Sequence, residues 1–133
     1  MPRSRPIIKP QRNKLPHAFV LDALASLEPE VRLMFSGYAV YLSDPIVCML
    51  RDHHKSPQDN GVWLVLSESV NPANAGLRRE FPSLRPIELL GHKISYSLHL
   101  PSASPAFEEE ALHTCDRLLH HDPRFGRIPK SRR

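Results

Sequence analysis

Between residues 31 and 66 the chain holds four apolar or aromatic runs of strand length: Val31–Phe35, Tyr38–Leu42, Ile46–Arg51 and Gly61–Leu66. Each is short for a helix, and each is bounded by a reversal signal: Ser36-Gly37, Ser43-Asp44-Pro45 or the polar stretch Asp52–Asn60. Short strands joined this way specify an antiparallel meander. A glycine inside a strand marks a bulge as readily as a turn, so the pattern leaves open whether the first two runs are two strands or one strand bent at Gly37.

The segments around the meander read as helices and a hairpin. Pro16 suits a first helical position, and Val20, Leu24 and Leu27 form one stripe of a helix from Pro16 to Leu27, which Glu28-Pro29 stops. Asn71-Pro72 opens a short helix through Ala73, Leu77 and Phe81, ended by Pro82. Arg85–Leu90 and Lys93–Leu100 pair as a hairpin about Gly91-His92; Ile94, Tyr96, Leu98 and Leu100 face the core, and Ser95, Ser97 and His99 face water. Ser104-Pro105 opens a last helix with Glu108, Glu109 and Glu110 at its positive end. Its core stripe is Phe107, Ala111, Cys115 and Leu118, flanked by Leu112 and Leu119, and it ends before Pro123. The expected fold is α+β: an antiparallel sheet of about five strands with three helices, in the order α-β-β-β-α-β-β-α, with three or four strands ahead of the second helix. The strand ending at Leu100 has no lysine or proline inside it to discourage edge pairing, so a two-fold homodimer through that edge is expected.

A length of 133 residues allows one domain, and 41% hydrophobic with 24% charged residues is an ordinary globular composition. No apolar run approaches the ~18 residues of a spanning helix, so no membrane partner is expected. Two cysteines in unlike segments, Cys48 and Cys115, make no disulfide framework and fit a reducing cytoplasm. The net charge of +4 is unevenly placed. Residues 1–14 carry Arg3, Arg5, Lys9, Arg12 and Lys14, residues 124–133 carry Arg124, Arg127, Lys130, Arg132 and Arg133, and neither end holds an acid. The remaining eight basic residues face all fourteen acids in residues 15–123, a balance of −6. The chain therefore divides into a basic, proline-containing arm (1–14), a folded domain (15–123) and a basic tail (124–133), with the ends mobile unless docked and Ile7 and Ile8 as the first arm's only apolar anchor. Ten such cations predict weak nucleic-acid binding without sequence preference, or contact with an acidic partner.

The residue types that carry chemistry lack the company they need. His113, Asp116 and His120 share a helix face, but Arg117 intrudes on it and Glu109 lies one turn before His113, the pattern of a solvated charge ladder rather than a metal site. His53-His54 and His120-His121 are adjacent pairs whose side chains diverge. His99 beside Ser95 and Ser97 lacks a glycine-flanked nucleophile turn, the glycines form no phosphate-cradling loop, and both cysteines lie on apolar stripes that raise a thiol pKa. Trp63 reads as core, while Tyr38 and Tyr41 point to opposite faces of one strand, one buried and one exposed. No catalytic residue, cofactor or metal is expected.

At Met34-Phe35-Ser36-Gly37-Tyr38-Ala39-Val40-Tyr41 the chain resembles the N-terminal domain of the TfoX family, whose signature is a Met-Phe-Gly-Gly turn followed by a short strand; Ser36 stands where the family usually has glycine. The resemblance covers roughly residues 16–121. It implies an α+β fold similar to secretion-chaperone-like domains, which often dimerise, with no catalytic residues, in a family whose name is attached to bacterial competence regulators that also carry a C-terminal helical domain. At 133 residues a second domain of that kind is not expected in this chain. The expectation is a stand-alone cytoplasmic binding or regulatory domain that acts through a protein partner, with a nucleic-acid-associated regulator using the arms as the alternative and an enzyme or metal protein after both.

Overall fold

In a computed structural model, which describes residues 15–34, 36–90 and 96–129, the chain is α+β with three helices and a five-stranded antiparallel sheet in the order β1-β2-β3-β4-β5. The elements are α1 (Phe19–Ala23), β1 (Glu30–Met34), β2 (Gly37–Tyr41), β3 (Ile46–Arg51), β4 (Gly61–Val65), α2 (Ala75–Glu80), β5 (Ser97–Pro101) and α3 (Phe107–Leu119). The four runs of residues 31–66 are thus four strands. The first two are separate, closed into a hairpin where Met34 pairs Gly37. Gly37 is required there, because a Cβ on it would stand 2.8 Å from the Leu50 carbonyl oxygen.

Four strands precede α2 and one follows it. Residues 85–90, expected as a strand, make a single bridge in which Arg85 and His99 exchange backbone hydrogen bonds at 2.9 and 2.8 Å, then turn into a 3-10 segment at Glu88–Leu90. Pro86 explains the stop, since it has no N–H to extend a ladder. That bridge occupies the outer edge of β5 at its centre, so the free edge on which the expected dimer rested is closed at His99. The hairpin turn Gly91-His92 lies outside the described residues.

The helices also begin differently from their sequence signals. His17 adopts a left-handed conformation (φ 53°), sends Nε2 to the Arg51 carbonyl oxygen at 2.9 Å and packs edge-on against Phe107, so α1 starts only after Ala18. Asn71 caps a preliminary turn through Ala73 N, and Asn74, whose side chain accepts from Leu77 N at 3.1 Å, is the cap of α2 itself. In α3 the stripe Phe107, Ala111, Cys115 and Leu118 is buried as expected, whereas Leu112 is exposed and Glu110 is buried. Glu110 accepts from Ser83 N at 3.0 Å and from Ser83 Oγ, which also meets Ser104 Oγ at 2.7 Å. A buried carboxylate thereby ties the loop after α2 to the start of α3.

The pleat sends alternate side chains to opposite faces of the sheet. Val31, Val40, Cys48, Leu50, Val62, Leu64, Leu98 and Leu100 face the helices and join Leu24, Leu77, Phe81, Ala111 and Cys115 in one core. Burying each large aliphatic or Phe side chain contributes about 1.5–3 kcal/mol, so this layer dominates stability.

The basic tail is shorter than its charge pattern suggests. β3 and β4 are paired only from Cys48↔Leu64 to Arg51↔Gly61, and their other ends splay. Residues 124–127 fill that fork: Ser67 N donates to Arg124 O, Gly126 N to Val65 O, and Ile46 and Arg127 exchange backbone hydrogen bonds. Phe125 is buried in the helix-side core, edge-on to Phe81. Gly126 takes φ +105°, a conformation open to glycine, and a Cβ on it would stand 3.4 Å from Pro45 Cβ and 3.6 Å from Val47 Cγ1. The folded domain therefore runs past residue 123, because an aromatic and a glycine among the tail's cations give it a place in the sheet.

Candidate binding face

The second face of the sheet carries a separate apolar cluster. Ala39, Tyr41 and Met49 are buried in it and Met34, Ile46 and Trp63 pack around them partly exposed; among the described residues no helical side chain joins this cluster. Its axis is a row across all five strands, Arg32–Ala39–Met49–Trp63–His99, each residue directly opposite the next. Arg32 lies over the Tyr41 ring at 6.0 Å and is held by Glu30 at 2.8 Å, a hydrogen bond that raises its pKa. Trp63, expected in the main core, sits here, and of the two tyrosines Tyr41 is buried on this face while Tyr38 is half-buried on the helix side.

One end of the face is closed by a buried polar network that the sequence does not announce. Arg51, 2% exposed, donates through Nε to Ser36 Oγ at 3.0 Å and through Nη1 to Ser56 O at 2.7 Å and Asn60 Oδ1 at 2.9 Å. Its guanidinium lies 6.0 Å from the Trp63 ring centroid, and Trp63 Nε1 donates to Asp59 O at 2.9 Å. Ser36, the departure from the Met-Phe-Gly-Gly pattern, is thus a ligand of a buried cation. Asp59 is fully buried and its two carboxylate oxygens accept from Glu88 N and Leu89 N at 2.8 Å each.

His99 was expected on a wet strand face and is instead fully buried. Arg85 Nε donates to its Nδ1 at 3.3 Å, which makes Nε2 the protonated nitrogen, donating to Asn60 O at 2.7 Å. Burial pushes its pKa down; the Asn60 hydrogen bond opposes this, and the Arg85 charge reinforces it. With the lone pair of Nδ1 engaged by Arg85, this imidazole is held in place rather than presented to a substrate. Arg85 also donates to Gln58 O. The network fastens the 3-10 turn Pro57–Asp59 to residues 85–89 and fixes the Trp63 end of the face.

A second ion cluster lies on the helix side. Glu80 Oε2 meets His113 Nε2 at 2.8 Å and Arg117 Nε at 2.6 Å, and Glu80 Oε1 meets Arg124 Nη1 at 2.9 Å. Burial opposes ionisation of Glu80, but the hydrogen bonds from Arg124, Arg117 and His113 outweigh it and hold its pKa down to about 2. Asp122 is likewise held low, first by its hydrogen bond from Arg124. His113 therefore turns toward Glu80, and His120 is left with Asp116, whose backbone oxygen it meets at 2.8 Å.

The other predicted positions fall into two groups. Met34 ends β1, Ser36 and Gly37 make the turn, and Tyr38 leads β2. Arg124 is engaged by Glu80 and Asp122, and Arg127 by the Tyr96 ring at 3.4 Å and Leu66 O at 3.4 Å, so neither is a loose cation. Phe35, Arg3, Arg5, Lys9, Arg12, Lys14, Lys130, Arg132 and Arg133 lie outside the described residues. Both thiols are buried; burial pushes Cys115 up to about 12 and Cys48 higher still. Among the described residues no helix is long and apolar enough to cross a membrane. Compared with known proteins, the chain matches no family model, no curated protein and no solved structure.

Proposed function

We propose that this chain is a non-catalytic binding domain of the TfoX N-terminal type, acting through protein–protein contacts made by the second face of its sheet. One observation carries the reading: among the described residues the helices all serve one face, while the other presents Met34, Ile46 and Trp63 around a buried apolar centre. Aromatic and methionine side chains set in an apolar patch beside arginine make a composition suited to a protein interface. The two buried side chains of the network that could do acid–base chemistry serve internal needs instead: Asp59 holds two backbone N–H groups and His99 is locked between Arg85 and Asn60. Two buried free thiols fit a cytoplasmic setting.

The test compares the full chain with Met34→Glu/Ile46→Glu on this face and Leu112→Glu on the exposed side of α3. A partner identified by mass spectrometry is purified and titrated against all three. Binding lost in the double variant and kept in Leu112→Glu supports the reading. Equal binding by all three contradicts it, and binding only of nucleic acid, lost with the arm cations, favours the alternative of a nucleic-acid-associated regulator.

A further inference from the structure

Residues 85–89 cover the outer edge of β5 without joining either apolar cluster; Ile87, the one buried side chain among them, is a member of neither. Their fastening is polar instead. Arg85 and His99 exchange backbone hydrogen bonds, Arg85 Nε donates to His99 Nδ1 at 3.3 Å, and Glu88 N and Leu89 N donate to the Asp59 carboxylate at 2.8 Å each. We propose that His99, Arg85 and Asp59 form a proton-operated latch: a proton taken up at His99 Nδ1 releases residues 85–89 from β5 and opens the Trp63 end of the second face while the rest of the sheet stays folded. What the opening does for a partner rests on the functional reading above. The latch itself needs no partner, so its failure would leave that reading standing.

The contacts around one ring carry the inference. Nε2 of His99 already holds the hydrogen that goes to Asn60 O at 2.7 Å, so an added proton goes to the Nδ1 lone pair. That lone pair receives Arg85 Nε–H, and protonation sets two donors and two positive charges against each other at 3.3 Å. The nearest acceptor for the new N–H is Asp59 Oδ1, 3.8 Å from Nδ1 and as fully buried as the imidazole. The same oxygen holds Glu88 N, so an imidazolium that turns to Asp59 competes with this anchor as it expels Arg85. Both fastenings of residues 85–89 weaken in one step, and the apolar core is untouched. The other elements around the ring do not offset this: Arg51 of β3 adds a further opposing cation, and Trp63 of β4, directly opposite His99, brings no charge. Burial, the largest cause holding the ring neutral, disappears when the segment lifts. Trp63 Nε1 donates to Asp59 O, so movement of Asp59 frees the indole on the second face.

Hydrogen exchange of the Arg85, Glu88 and Leu89 amides, followed by NMR at pH 7.5 and 5.0 and corrected for the chemical exchange rate at each pH, tests the latch in the full chain, in His99→Gln and in Glu80→Gln. An imidazole that titrates at the ordinary 6.5 when open and stays neutral when closed raises the opening constant at pH 5.0 by about thirtyfold at most. The account expects about a ten- to thirtyfold rise in the parent and in Glu80→Gln, and none in His99→Gln. At pH 5.0 the three parent amides also exchange faster than those of Ala111 and Cys115 in α3 and are insensitive to low urea, as local opening is. Exchange at the α3 rate with the urea dependence of α3 means that the protein opens only as a whole and overturns the proposal, a result the parent supplies even if His99→Gln does not fold. An opening constant that is the same at both pH values in the parent, or that rises equally in His99→Gln, overturns it as well.

Discussion

Arg51 and Asn60, nine residues apart, are joined by a 2.9 Å hydrogen bond between a buried guanidinium and a buried amide oxygen. The same Asn60 oxygen accepts from His53 N at 2.8 Å, and the Asn60 carbonyl receives His99 Nε2 at 2.7 Å. One asparagine therefore serves the Arg51, His53 and His99 branches of the network that closes the Trp63 end of the second face.

Removing that acceptor leaves the cation of Arg51 under-satisfied. Asn60→Ala is expected to cost about 2–3 kcal/mol, the range for losing a hydrogen bond to a buried charged group. Arg51→Met should be less damaging in the Asn60→Ala background than in the parent, since it removes the stranded charge. Urea unfolding of the four proteins measures this coupling, and strict additivity would show that the two side chains do not act together.

Acid should weaken the fold in two separable windows. His99 is held neutral, below the ordinary histidine pKa of 6.5, so its contribution is complete above that value and is lost as pH falls through the depressed folded value. Glu80, held at about 2 against an ordinary 4.5, contributes above 4.5 and fades as pH falls toward 2. Melting temperature followed from pH 7.5 to 2 should lose its upper slope in His99→Gln and part of its lower slope in Glu80→Gln. At neutral pH Glu80→Gln should cost no more than about 1 kcal/mol, because partly exposed ion pairs are weak.

The C-terminal segment behaves in this account as part of the sheet. Phe125→Ala should cost about 3 kcal/mol as a core truncation, and Gly126→Ala about 1–2 kcal/mol from its positive φ. Thermal unfolding checks both, and a shift no larger than that of an exposed-site change such as Leu112→Ala would return residues 124–127 to the status of a tail.

Neither thiol should react while the protein is folded. With burial pushing Cys115 up to about 12 and Cys48 higher, the thiolate fraction of Cys115 at pH 8 is on the order of one in ten thousand. Iodoacetamide at pH 8 should modify neither native cysteine and both in urea, as read by intact mass.

The strands of the meander were legible because period, length and punctuation agreed over residues 31–66, and the α3 stripe because four apolar positions shared one face. Arg85–Leu90 misled because apolar content is not strand content: Pro86 cannot donate, a fact the pattern of hydrophobic residues does not weigh against the pairing. His99 obeyed the alternation yet is buried, since a segment distant in sequence lies on its outer side. Arg51 and Asp59 carried no motif, and their burial follows from partners brought together only by the turn at Pro57–Asp59. Arg124 and Arg127 looked like free cations because charge dominated the tail, but Phe125 and Gly126 between them were the signal of a docked segment.

The most direct test of the central claim, that the second face of the sheet is where this domain binds, is Trp63 emission during titration of the full chain with its purified partner. The account predicts a saturable change at the stoichiometry of the complex, absent with Met34→Glu/Ile46→Glu and kept with Leu112→Glu. Binding detected by sedimentation that leaves Trp63 emission and its quenching unchanged would place the interface elsewhere and contradict it.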